Sequence, residues 1–154
     1  MATSLTIIKT PRLTETQKTS VLSLAALCRQ KDRISLSYPV LPEDDILCHY
    51  LLSDSHGRIV SVLGLIPFDS STVECTAFTH PDCRRKGYFS RLLSHALKSC
   101  PDQDILFPVS GKCQDTMAAL ASLGAEPECL EYQMELILSD YNPSPESVFH
   151  SACC

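Results

Sequence analysis

Apolar positions along this chain follow two periods, and the switches between them divide it into elements. Val21, Leu24, Ala25 and Cys28 stand at helical spacing. Ahead of them Thr14 and Gln17 form a capping-box pattern, so the spacing predicts a helix from about Glu15 to Gln30. Arg29 and Lys31 suit the C-terminal end, where the helix dipole favours cations. A short strand, Leu5 to Lys9, precedes this helix and ends at Pro11. Ile34 to Asp45 follows neither period, and its acids Glu43, Asp44 and Asp45 read as a solvated loop. Ile46 to Ser53 and Arg58 to Phe68 are apolar and β-rich. Asp54-Ser55-His56-Gly57 between them is strong turn chemistry, which makes the pair a hairpin. Pro67 and Asp69-Ser70-Ser71 then turn the chain into a third strand, Thr72 to Thr79.

The second half alternates. Phe89, Leu92, Leu93, Ala96 and Leu97 form the apolar stripe of a helix packed on one face, stopped by Pro101 and Asp102. Asp104 to Val109 reads as a strand, although Pro108 cannot donate to a ladder in a sheet interior. Gln114 to Leu123 is a helix with Met117, Leu120 and Ala121 on one face and Gly124 as its stop. Cys129 to Leu138 alternates with period two, as a half-buried strand does. Beyond Ser139 the periodicity is lost, which predicts one domain over residues 1–138 and a tail over 139–154.

Between the third strand and the next helix lies a short basic turn, Arg84-Arg85-Lys86-Gly87-Tyr88-Phe89, entered through His80-Pro81-Asp82. The first N–H groups of a helix have no partner inside it, and the dipole places partial positive charge there. Gly87 lets main chain approach a ligand closely. Three cations beside such an end make a site for a phosphate or pyrophosphate.

Strand, proline, R-x-x-G, then Leu-Leu resembles the acyl-CoA-binding motif of the GNAT superfamily of N-acetyltransferases, [Q/R]-x-x-G-x-[G/A]. Arg84 and Gly87 match it, while Phe89 stands where the family has Gly or Ala. The element order, β-α-β-β-β-α-β-α-β, is also that of the family, from about Leu5 to Leu138. The resemblance therefore implies an α/β (α+β, mixed-sheet) GNAT-like fold. It implies acetyl-CoA as co-substrate and direct attack by a primary amine in a ternary complex. The strand after the motif helix would splay from the motif strand and open a V for the cofactor, which gives Pro108 a place. A family member usually closes with two strands, whereas this chain has room for one long or bent strand. That leaves open a compact member or a piece of a longer protein.

By the same resemblance, Ala77, Phe78 and Thr79 form the strand edge facing pantetheine. Arg84, Arg85, Lys86, Gly87, Tyr88 and Phe89 form the pyrophosphate turn, and Ser90 adds its N–H or hydroxyl. Glu74, the sole carboxylate on the motif strand, is the candidate base. A sheet-face glutamate paired with a cation is the plain alternative, and His49 and His80 are weaker candidates by their neutral pKa. The family's tyrosine acid is absent, since Leu120 stands in its place before Leu123-Gly124-Ala125. Tyr132 on the last strand is the substitute candidate, with a core tyrosine as the plain reading.

Composition narrows the partners. A net charge of −5 and a pI of about 5.4 argue against a nucleic-acid-binding protein and weakly suit a cationic acceptor. The acceptor class stays open among small amines, amino acids and protein lysines or N-termini. No apolar run reaches membrane-spanning length, and MATSLTIIKT lacks the pattern of a signal peptide, which points to the cytoplasm or the nucleus. Nine cysteines without a Cys-x-x-Cys pair or zinc spacing read as free thiols used as small hydrophobes, and no metal is expected. The closing Cys153-Cys154 resembles a lipid-anchor signal with nothing else to support it. Two other classes follow: a catalytically silent CoA-binding module, and a thiol-rich redox or metal protein. A serine hydrolase is disfavoured because no Gly-x-Ser-x-Gly is present.

Overall fold

The computed structural model describes residues 4–39, 48–109 and 113–125. The chain divides into two compact units, Met1–Met117 and Ala118–Cys154. Within the first, β1 (Thr6–Thr10), β2 (Cys48–Ser53), β3 (Ile59–Pro67), β4 (Thr72–Thr79) and β5 (Asp104–Leu106) form one sheet in the order β1-β2-β3-β4-β5. The first four are antiparallel neighbours, and β5 joins β4 in parallel. Helices α1 (Glu15–Asp32) and α2 (Tyr88–Leu97) belong to this unit, and α3 (Gln114–Ser122) crosses the boundary between the two. Residues 129–138, the expected last strand, with Tyr132 among them, and the acids Glu43, Asp44 and Asp45 lie outside the described residues.

The helix boundaries follow from local chemistry. The Thr14 side chain accepts from the Gln17 N–H at 3.1 Å, and Gln17 Oε1 accepts from the Thr14 N–H at 2.9 Å, the reciprocal bonds of a capping box. Val21, Leu24, Ala25 and Cys28 are the buried positions of α1, as their spacing predicts. The helix ends at Arg33 in the left-handed region (φ 55°). In the β2–β3 hairpin Asp54 Oδ1 accepts from the N–H groups of His56 (2.9 Å) and Arg58 (3.0 Å). These bonds hold its carboxyl below the usual carboxylate range.

Two cores flank the sheet. On the α2 side Tyr50, Leu52, Leu63, Leu65, Val73 and Cys75 pack with Leu92, Leu93 and Ala96. On the α1 side Leu51, Val62 and Phe78 pack with Val21, Leu24, Ala25 and Cys28. Leu97 is exposed rather than part of the predicted stripe, since the buried arc of α2 stops at Ala96. The six described cysteines are buried free thiols, and no metal-binding cluster of side chains occurs among the described residues. No described helix is long and apolar enough to cross a membrane.

The loop after α1 departs most from its expected character. Tyr38 is only 4% exposed and lies in the α1-side core. Its hydroxyl bonds His49 Nδ1 at 2.7 Å, and its ring tilts against Phe78. Gly64, the register partner of both His49 and Thr76, makes room for it. A Cβ at Gly64 would lie 2.7 Å from that hydroxyl and 3.1 Å from Cζ.

Candidate active site

The sheet opens where the site is expected. β5 pairs with β4 over only three positions, Thr72 with Asp104, Val73 with Ile105 and Glu74 with Leu106. Beyond Glu74 the two strands share no pairing, and among the described residues β4 continues to Thr79 beside β3 alone. Phe107 and Pro108 therefore follow the end of β5 rather than interrupting a ladder, which removes the conflict at Pro108. Phe107 instead meets the ring of Phe89 edge-on, with centroids 6.4 Å apart.

The free edge of β4 has a definite polarity. The His80 N–H donates to Val60 O at 2.8 Å, across to the β3 side. Main-chain groups alternate along a strand, so those of Phe78 also face β3 while those of Ala77 and Thr79 face the open side. Thr79 O already accepts from Arg84 Nε (3.2 Å) and Cys28 Sγ (3.4 Å). Among the described residues, the Ala77 N–H and C=O and the Thr79 N–H are thus left without partners at the mouth of the V. Phe78 directs its side chain into the α1-side core.

The basic turn is built in steps. Pro81–Cys83 is a short 3₁₀ turn whose N-terminus His80 caps, Nδ1 accepting from the Asp82 N–H at 3.1 Å. Arg84 is extended, and Arg85 is left-handed at φ 63°, uncommon for a residue with a side chain. Gly87 caps α2 at φ 77°, a conformation glycine adopts without strain. A left-handed residue followed by helical ones turns successive N–H groups toward a common point, a shape that receives anions. Gly87 O accepts from the Arg91 N–H at 3.0 Å. The N–H groups of Gly87, Tyr88, Phe89 and Ser90 have no acceptor among the described residues. The space where a Gly87 Cβ would stand is open. Phe89 packs against the α2-side core, so its bulk lies under the helix. These features fit a pyrophosphate.

The charges around the turn divide sharply. Arg85 and Lys86 are exposed and form no ion pair among the described residues. Arg84 is engaged: Nη1 and Nη2 meet the two oxygens of Asp32 at 2.8 and 2.7 Å, and Nη1 also meets Asp115 at 3.2 Å. The hydrogen bonds from Arg84 hold the Asp32 carboxyl below the usual range.

Glu74 is half-buried at the last position paired with β5, where the V begins. Its neighbours by register are Ile66 and Leu106. His49 is buried against Tyr38, and burial pushes its pKa down. His80 is occupied in capping. Within the second unit, the described part of α3 closes at Gly124 (φ 78°), with the Ala125 N–H donating to Leu120 O at 3.1 Å.

A sequence profile of the Acetyltransferase (GNAT) family matches residues 19–121. The chain belongs to that family, whose members are generally acyltransferases that use acetyl-CoA. No curated protein sequence matches it significantly. Among solved structures it is similar to a GNAT-family acetyltransferase from Streptococcus pneumoniae (18% identity, 97% of this chain and 100% of that one, TM-score 0.60). It is also similar to the ribosomal-protein-S18-alanine N-acetyltransferase of Escherichia coli (15%, 82% and 81%, TM-score 0.59). A third similar structure is an aminoglycoside N-acetyltransferase in complex with CoA (13%, 88% and 97%, TM-score 0.60). These likenesses are of fold.

Proposed function

We propose that this chain is an N-acetyltransferase that passes the acetyl group of acetyl-CoA to a primary amine by direct attack. One observation carries the reading. The strand edge freed beyond Glu74 leads through the His80–Gly87 turn into a helix N-terminus whose main-chain donors have no acceptor among the described residues. An extended thiol arm needs the first feature and a pyrophosphate needs the second.

In this reading the N–H groups of Gly87, Tyr88, Phe89 and Ser90 receive the pyrophosphate, with Arg85 and Lys86 adding charge. The Ala77 main chain pairs with the amides of the pantetheine arm as a missing strand would. That fixes the thioester near the apex of the V, beside Glu74. The amine attacks the thioester carbonyl carbon, a new C–N bond forms, the C–S bond breaks, and CoA leaves as thiolate. Glu74 accepts the proton lost by the nitrogen, directly or through water. Holding both partners at one apex removes much of the entropic cost of bringing them together.

Calorimetry of acetyl-CoA binding tests the site. Gly87→Asp and Gly87→Asn both tolerate left-handed backbone, so they differ in charge and little in strain. We expect the wild type to bind, Gly87→Asn to bind more weakly, and Gly87→Asp to lose a further factor of about ten or more, about 1.4 kcal/mol. Equal affinity for the two variants refutes a phosphate at this turn. Binding without acetyl transfer across a panel of amines identifies a silent CoA-binding module instead.

A further inference from the structure

Arg84 occupies the cationic position of the R-x-x-G motif, yet its guanidinium points away from that task. Four of its contacts are to protein: both oxygens of Asp32 at the end of α1, one oxygen of Asp115 in the first turn of α3, and Thr79 O at the end of β4. The side chain is mostly covered, at 19% exposure, and Asp32 more so, at 11%. Two carboxylates against one guanidinium leave the cluster with a net negative charge. A phosphate reaching for Arg84 would have to displace a bidentate carboxylate and then sit beside two anions, which Coulomb repulsion opposes.

The next residue shows what the contacts accomplish. Arg85 holds a left-handed conformation that a side-chain-bearing residue keeps only where its surroundings determine it. Cys83 on one side is buried in the core, and Arg84 is tied to three elements. The main chain therefore enters the Arg85–Gly87 turn from a fixed direction, with the N–H groups of α2 already aimed outward.

We infer that Arg84 is an intramolecular clamp that presets the pyrophosphate turn through Asp32 and Asp115, and that the motif's attraction for phosphate comes from Arg85, Lys86 and the α2 main chain. The inference rests on acetyl-CoA binding at this turn, as proposed above. Asp32 and Asp115 thereby become positioning residues of the site, although neither belongs to the motif.

The two roles for Arg84 predict opposite signs. If it clamps, Asp32→Asn weakens acetyl-CoA binding, because the preset turn is lost. If it binds phosphate, Asp32→Asn frees a cation and tightens binding. We expect Asp32→Asn and Arg84→Gln each to lower affinity about tenfold, about 1.4 kcal/mol, and their double variant to lose little more. Ionic strength supplies a second readout, since salt screens exposed charges. Arg85→Gln and Lys86→Gln should flatten the salt dependence of binding, while Arg84→Gln should leave its slope unchanged. Thermal unfolding of each variant establishes that it is folded at the titration temperature, and Arg84→Lys, which keeps the charge but not the fork, serves where Arg84→Gln does not fold. Tighter or unchanged binding in Asp32→Asn, a flattened slope in a folded Arg84→Gln, or unchanged affinity in Arg84→Lys where that variant is used, overturns the inference while leaving the cofactor site standing. A folded wild type that binds no acetyl-CoA overturns both.

Discussion

Gly64 and Tyr38 define each other. The ring of a buried tyrosine cannot bend aside, and its hydroxyl is fixed to His49 at 2.7 Å. A methyl group at Gly64 would lie 2.7 Å from that oxygen. Gly64→Ala should therefore cost about 1–3 kcal/mol through overpacking, read as a lower denaturant midpoint at constant slope. An unchanged midpoint would show that Tyr38 moves freely. His49 adds a pH dependence. Burial lowers its folded pKa below the ordinary 6.5. The unfolded chain thus binds a proton more readily, and stability is full above about pH 6.5 and falls as the pH drops through the folded value. His49→Gln should flatten the stability curve between about pH 5 and 7; the lowered carboxyls Asp32, Asp54 and Asp69 act only further into acid. A slope identical to wild type in that window would assign the effect elsewhere. None of this pairing was legible in the sequence. Tyr38 sits in a stretch with no period, and its partners reach it only through the fold. The Arg84 clamp was hidden for the same reason: Asp32 is 52 residues away and Asp115 is 31. The strand–turn–helix junction itself was legible, because the breakers His80-Pro81-Asp82, Gly87 and the apolar stripe after it follow local rules alone.

At the scale of elements, local chemistry announced most boundaries. Thr14 and Gln17 marked the start of α1, and the Asp54–Gly57 turn placed the hairpin, whose register nonetheless shifts between Leu52 and Ser53. Strand β5 shows where local rules end. Its apolar residues run on through Phe107 and Val109, but its ladder stops at Leu106 because β4 no longer lies alongside. Only Pro108 signalled the change, and its meaning came from the family geometry rather than from the spacing. The same divergence separates the roles of neighbouring β4 residues. Period-two alternation turns Phe78 into the core and its main chain toward β3, while Ala77 keeps a free edge. Of the three consecutive residues read as the strand edge, Phe78 turns its main chain to β3, while Ala77 and the Thr79 N–H face the open side with no partner among the described residues.

For the whole molecule, the cysteines become a gauge of cooperativity. Cys48, Cys75, Cys83 and Cys100 lie in the α2-side core and Cys28 in the α1-side core, so the two faces of one sheet both hold thiols. The thiolate is the reactive form, and burial pushes Cys75 up to about 12 and raises Cys28 and Cys100 as well. Native protein should therefore resist alkylation at all five, and modification should wait for opening of the fold. Strands β2, β3 and β4 contribute to both cores, which couples them. Pulse alkylation with peptide mapping along a denaturant series checks this. All five sites should become reactive with one midpoint, coincident with loss of secondary structure. Leu92→Ala removes a fully buried side chain and should cost about 2–5 kcal/mol. It should shift the Cys28 midpoint as far as those of the α2-side thiols, although Cys28 lies on the opposite face. A Cys28 midpoint that stays in place would mean that the α1 face holds without the α2 face. The clamp from Arg84 to Asp32, which joins the end of α1 to the turn ahead of α2, would then fail to couple the two faces.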